Sequence, residues 1–277
     1  MKIKIDYHFH PNLSKNENRA NNKCKKIWAQ FKKKKINAVI ITEHAYKNPK
    51  RAFNLLKKHK PNSMFCFPGI ECVTKEGIDI IVFSNNEKIY GYKELRIFQL
   101  SYFDLIKFVN SKKDLYAFVT HPYAIGLNSV INKLGSDAYF KSLNLLNAVE
   151  ISNGSFDNLL SIINRFSFSI FFMSKLKKIK KTKNLPKSEY PFKIKFLAVG
   201  SDAHHVEGIG NCYQLESDLS SLNEDDVFKL VTNNKGKGRI CYDNSKSFNF
   251  WLLIKTGLTL LNEFIIKQTL KFNIDKK

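Results

Sequence analysis

Short apolar runs rich in Ile, Val and Phe alternate along this chain with longer amphipathic stretches, and that alternation constrains the fold more than any other feature. The runs at 2–10, 36–42, 64–72, 77–83, 115–120, 145–152 and 195–200 read as strands. Several are apolar at successive positions, the pattern of strands covered on both faces. Amphipathic stretches at 17–34, 48–58, 101–111, 137–146, 156–175 and 224–233 read as helices between them. Such an order implies an α/β fold, with parallel strands joined by helical crossovers. The run at 77–83 follows its predecessor too closely for a crossover helix and is expected to form a hairpin. With 277 residues, 43% of them hydrophobic, the chain can build a sizeable core.

No run of ~18 uncharged apolar residues occurs, so a spanning helix is not expected. The opening MKIKIDYHFH lacks the apolar stretch of a secretory leader. Five scattered cysteines, never in C-x-x-C spacing, read as reduced thiols rather than a disulfide frame or a thiolate zinc site. A cytoplasmic setting is the expectation. The net charge of +22 favours anionic partners, a phosphoester substrate or nucleic acid among them. Arg supplies only Arg19, Arg51, Arg96, Arg165 and Arg239, so compositional bias towards Lys explains the charge better than a surface built from phosphate-gripping forks.

Two segments read as additions to a main unit spanning 1–243. Residues 175–195 carry a dense Lys run with two prolines and are expected to form an exposed insertion. Residues 244–277 read as an amphipathic C-terminal helix whose apolar face packs on the main unit or on a partner subunit. Trp251, several Phe and flanking Lys also suit peripheral membrane contact over 248–266. The oligomeric state stays open.

The histidines carry the chemistry. Of seven, six (His8, His10, His44, His121, His204 and His205) lie at or just past the C-terminal end of a strand candidate; only His59 does not. Glu71, Glu150 and Asp202 share the habit. In parallel α/β folds those strand ends converge on one rim, where active sites are built. Period-two alternation puts Asp6, His8 and His10 on one face of the first strand, so an H-x-H there can offer two imidazoles to one ion. Imidazole and carboxylate donors without thiolate suit Zn²⁺, Mn²⁺ or Fe²⁺. His8, His10, His44, Glu71, His121, Asp202 and His204 exceed the needs of one ion, so two or three clustered metals are expected, with Glu71 a natural bridge. Clustered cations serve phosphoester hydrolysis, generating a hydroxide and clamping the attacking and leaving oxygens. No G-x-S-x-G elbow or Cys–His pairing suggests a protein nucleophile.

Taken in order, Asp6-Tyr7-His8-Phe9-His10, Thr42-Glu43-His44, Pro68-Gly69-Ile70-Glu71, Thr120-His121-Pro122, Val149-Glu150 with Asn153, and Gly200-Ser201-Asp202-Ala203-His204 resemble the motifs of the PHP (polymerase and histidinol phosphatase) family. The resemblance implies a distorted (β/α)7 TIM-like barrel, here with a C-terminal helical extension, and a metal-dependent phosphoesterase. Carried over by residue, His8, His10, Glu71 and Asp202 hold a first ion. Glu71 and His121 hold a second, and His44 with His204 a third; His8, His10, Glu71, His121 and Asp202 form the catalytic set. Where many members have a further His after the bridging glutamate, this chain offers Asp79. The loop after His10 lacks the His or Asp that often completes the third position and offers Lys15, Asn16 and Glu17 instead. Glu150 is placed behind the ligands, orienting an imidazole.

Three other functions compete. A nuclease or exonuclease acting on single strands would use the same centre, with the Lys stretches 23–35 and 175–195 as a backbone track, although interleaved aromatics for base stacking are not obvious there. A non-catalytic interaction module would be expected to lose several ligands, and hydrolysis of a C–N bond would centre on a modified lysine that nothing singles out. The rim loops 84–98 and 122–136 and the insertion are the expected specificity elements.

Overall fold

The computed structural model describes residues 1–122, 129–155, 193–218, 221–242 and 250–275. Along them run β1 (Lys2–Phe9), α1 (Glu17–Lys33), β2 (Ala38–Ile41), α2 (Pro49–Lys58), β3 (Phe65–Val73), β4 (Asp79–Phe83), α3 (Tyr102–Asn110) and β5 (Tyr116–Val119). They continue as α4 (Val130–Leu146), β6 (Ala148–Asn153), β7 (Phe196–Gly200), β8 (Cys212–Glu216), α5 (Glu224–Thr232), β9 (Gly238–Cys241) and α6 (Phe250–Asp275). The insertion expected at 175–195 falls almost wholly outside the described residues, as does the helix expected at 156–175.

Helix starts follow local chemistry. The Asn16 side chain accepts from the Arg19 backbone N–H and opens α1, while Asn48 does the same for α2, which begins at Pro49. Buried Ala20, Cys24, Ile27, Trp28 and Phe31 recur at helical spacing and seat α1 on the sheet. α4 is broken at Gly135 (φ 86°), a conformation that glycine adopts at little cost, so the stretch after it begins about where the periodicity suggests and a shorter helical stretch precedes it.

Seven strands form one mixed sheet in the order β5-β4-β3-β2-β1-β8-β9, and β6 pairs with β7 in a second, two-stranded sheet. The expected distorted (β/α)7 TIM-like barrel is therefore not what forms. Among the strands of the described residues, β1–β2, β2–β3 and β6–β7 pair in parallel, whereas β4 runs antiparallel to β3 and to β5, and β8 antiparallel to β1 and to β9. The reasons are local. Between β3 and β4 the Gly77 N–H donates to the Thr74 carbonyl over 2.8 Å with Gly77 at φ 81°, so the chain reverses without room for a crossover. At the other edge of β1, β8 pairs Ile5 with Tyr213. That edge is the one a parallel barrel would close upon.

The core lies in two parts. One gathers Ile3, Ile5, Tyr7, Ile40, Phe67, Phe83, Phe118 and Phe196; the other packs Phe9, Trp28, Phe31, Val39 and Ile41 beneath α1 and α2. Tyr7 joins the two sheets: its ring stacks on Phe196 of β7 at 6.1 Å, and its hydroxyl donates to the Val231 carbonyl of α5 over 2.8 Å. β7 is held to the end of β1 by the Asp202 N–H, which donates to the His8 carbonyl over 2.7 Å.

Trp251, Leu258, Leu261 and Ile265 are exposed, whereas Glu263 and Lys267 are buried. Among the described side chains of α6, the ones buried most deeply are a carboxylate and an ammonium. Among the described residues no helix is long and apolar enough to cross a membrane.

Candidate metal centre

The strand ends bring all eight sequence-predicted donors into one buried cluster. His8 and His10 come from the end of β1, His44 follows β2, Glu71 lies on β3, Asp79 opens β4, His121 follows β5, and Asp202 with His204 follows β7. Three overlapping groups emerge: His8, His10 and Glu71; Glu71, Asp79 and His121; and His10, His44 and His204. In the first, His8 Nε2 lies 2.9 Å from His10 Nε2 and 3.5 Å from Glu71 Oε1. Asp202 Oδ1 is 3.4 Å from His8 Nε2 and 3.3 Å from His10 Nε2. In the second, His121 Nε2 lies 3.6 Å from Glu71 Oε1 and 4.0 Å from Asp79 Oδ2. In the third, the Nε2 atoms of His44 and His204 are 3.4 Å apart.

These separations fit the chemistry of shared ions. Metal–ligand bonds of ~2.0–2.2 Å put neighbouring donors ~3–3.6 Å apart around a tetrahedral or octahedral cation. Unpaired atoms support the same reading: His10 Nδ1 and His121 Nδ1 are buried without a hydrogen-bond partner, and His44 Nδ1 is pressed against Glu71 Oε2. Polar atoms buried in this way are costly unless something satisfies them. The buried His, Glu and Asp clusters can therefore hold metal ions.

Supporting contacts orient the donors. Glu150 Oε1 meets His8 Nδ1 at 3.1 Å, and its Oε2 accepts from the His121 backbone N–H, so one carboxylate orients the His8 ring and anchors the main chain at His121. Asp6 is on the same face as His8 but turns to Ser201, accepting from its N–H at 2.9 Å and its hydroxyl at 2.5 Å. Burial raises the Asp6 pKa to about 7 even so. His121 (φ 29°) and Asp202 (φ 49°) occupy the left-handed region, which non-glycine residues visit rarely and which clusters at functional sites.

The electrostatics separate the imidazoles. Burial, then the His44 and His204 rings, hold His10 well below its ordinary pKa, leaving a neutral ring. Burial opposes charge on His44 too, but Glu263 and Glu71 outweigh it and lift the ring to about 9. Burial disfavours the Glu71 carboxylate, yet His44, His10 and His121 together hold it well below the usual range. Asp202 is lowered likewise, with His8, His10 and His204 overcoming its burial.

Sequence reasoning missed two residues here. Glu263 Oε1 stands 2.9 Å from His44 Nε2 and 3.2 Å from His204 Nε2. Lys267 Nζ donates to both oxygens of Asp79, over 3.0 and 2.8 Å. Their i, i+4 spacing within a mostly apolar helix was the only signal available. The loop candidates go elsewhere: Lys15 is exposed, Asn16 caps α1, and Glu17 meets Arg51. His205 meets the Thr259 hydroxyl of α6, and His59 meets Asn21 outside the cluster.

No family model matches the chain, and no curated protein matches its sequence. Several solved structures share its fold. PsfC from Pseudomonas syringae PB-5123 is 16% identical, with a TM-score of 0.54 over 97% of this chain and 99% of that one. The lesion-specific endonuclease PfuEndoQ from Pyrococcus furiosus is also 16% identical, with a TM-score of 0.52 over 87% of this chain. The match spans 58% of the endonuclease.

Proposed function

We propose that this chain is a metal-dependent phosphoesterase of the PHP type. The observation that carries the reading is the convergence of His8, His10, Glu71 and Asp202, distant in sequence, at separations suited to one ion, with two further donor groups sharing Glu71 and His10. His8, His10, Glu71 and Asp202 would hold the first ion, and Glu71, Asp79 and His121 the second. When bound, such ions supply an activated water near neutral pH and positive charge for the phosphoryl oxygens.

The chain's own residues set the conditions for that chemistry. Glu150 holds the His8 ring from behind, so its Nε2 faces the centre, and anchors the backbone at His121. His121 and Asp202, with side chains 14% and 12% exposed, mark the side from which a substrate arrives; the other donors are shut away from solvent. The Lys47 ammonium, 24% exposed, adds a cation at the edge of the centre where an anionic group would enter.

Cleavage of nucleic acid is the second reading, favoured by the shared fold with a lesion-specific endonuclease. Both are tested by purifying the protein anaerobically, measuring its metals, and offering a panel of phosphomonoesters, phosphodiesters and intact or base-damaged oligonucleotides. The proposal expects bound divalent metal and turnover of at least one phosphoester, both lost in Asp202→Ala. Cleavage confined to oligonucleotides, falling steeply with salt, would select the nuclease reading. A protein without divalent metal or turnover would leave a non-catalytic module.

A further inference from the structure

The donor group of His10, His44 and His204 gathers three imidazoles, and the loop after His10 adds no donor to it, because Lys15 is exposed and Asn16 caps α1. The structure puts the Glu263 carboxylate beside it. Its Oε1 forms a triangle with His44 Nε2 and His204 Nε2 whose sides are 2.9, 3.2 and 3.4 Å. That is close to the ~3–3.6 Å spacing of donors around one cation. We propose that Glu263 is the remaining ligand of a divalent-cation position lined by His10, His44 and His204, which makes the C-terminal helix part of the metal centre. The inference rests on the metal-dependent reading given above.

Hydrogen bonding supports a cation there. His204 Nδ1 lies 3.1 Å from the Asp202 backbone carbonyl, which can only accept, so Nδ1 donates there and the ring is oriented by that bond. His204 Nε2 is thereby turned towards Glu263 Oε1, 3.2 Å away. His44 is held between two carboxylates, with Nε2 towards Glu263 and Nδ1 against Glu71 Oε2. Lys47 Nζ lies 3.1 Å from Glu263 Oε1 on the solvent side. The position of Glu263 is also not a chance of helix rotation. Four residues on, Lys267 is held by both Asp79 oxygens, and both side chains are buried although most of α6 is not.

Metal content and hydrogen exchange test this together. Wild-type protein and Glu263→Gln are stripped with chelator, titrated with Mn²⁺, and compared for ions bound per chain and for amide protection in α6 relative to α1. The expected result is that Glu263→Gln binds its weakest ion about 100-fold more loosely, or loses it, while the tighter ions are unchanged. In the wild type Mn²⁺ should raise protection of α6 more than of α1; in Glu263→Gln that difference should vanish. Should Glu263→Gln unfold, Glu263→Asp, which keeps a carboxylate, is expected to bind the full complement with weakened affinity for one ion. Equal ion counts and affinities in wild type and variant would overturn the proposal and leave the phosphoesterase reading standing. A wild type that binds no Mn²⁺ would overturn both.

Discussion

Gly200 is the tightest point between β7 and β1, and it predicts what a single methyl group would do. A Cβ there would lie 2.2 Å from the His8 Cβ, 2.9 Å from its backbone nitrogen and 3.0 Å from its Cα. Carbon atoms rest at ~3.5 Å, so Gly200→Ala demands that the strands part by about 1.3 Å. None of the three atoms is the free end of a side chain, so the backbone must move. It moves where the Asp202 N–H bonds the His8 carbonyl over 2.7 Å and Asp202 Oδ1 faces the two imidazoles at 3.4 and 3.3 Å. Metal ligands tolerate ~0.2 Å, so a shift of that size withdraws the Asp202 carboxylate from any ion that His8 and His10 hold. Overpacking of this kind costs ~1–3 kcal/mol, which in a chain of this length lowers the melting temperature by roughly 5 °C. A misplacement near 1 Å also lowers turnover by ~100-fold. Thermal melting, metal titration and phosphoester turnover of Gly200→Ala read these out separately. A variant that melts and binds metal like the wild type would refute the close approach of β7 to His8, and with it the placement of Asp202.

Three further outcomes follow from particular contacts. Lys267→Met leaves Asp79 buried without its partner, a loss of ~3–5 kcal/mol in metal-free protein; Mn²⁺ should recover much of it, and a melting curve unchanged by the substitution would count against the Asp79 contact. Glu150→Gln weakens the hold on His8 and His121, so metal affinity should fall ~10–100-fold while the fold persists, as seen by circular dichroism. Burial lifts the Cys24 thiol to about 11 and Cys66 to about 12, and Cys72 and Cys212 are also raised. With those four buried, a thiol reagent at pH 8 should modify native protein at Cys241 first and the others only on unfolding; rapid reaction of all five would contradict the packing.

What the sequence revealed is the local part of the structure. The H-x-H at the end of β1, the histidines after β2 and β5, and the glutamate on β3 were legible because strand polarity and period-two alternation fix where such side chains emerge. Strand direction across the sheet was not. Alternating apolar runs say nothing of which neighbour a strand takes, and β8, reading CYQLE, has too little apolar patterning to announce itself, yet it is β8 that occupies the edge of β1 and precludes the parallel barrel. Glu263 and Lys267 were hidden for a related reason. In a helix rich in Leu, Ile and Phe two charges stand out little, and their partners at the ends of β2, β4 and β7 lie far away in the sequence. Long-range electrostatics of that kind leave no trace in periodicity.

The most direct measurement is anomalous diffraction from crystals of the wild-type protein grown with Mn²⁺. The account predicts a peak ~2.0–2.3 Å from His8 Nε2, His10 Nε2, a Glu71 oxygen and an Asp202 oxygen at once. Peaks confined to other parts of the molecule, with those four side chains free of any ion, would contradict it.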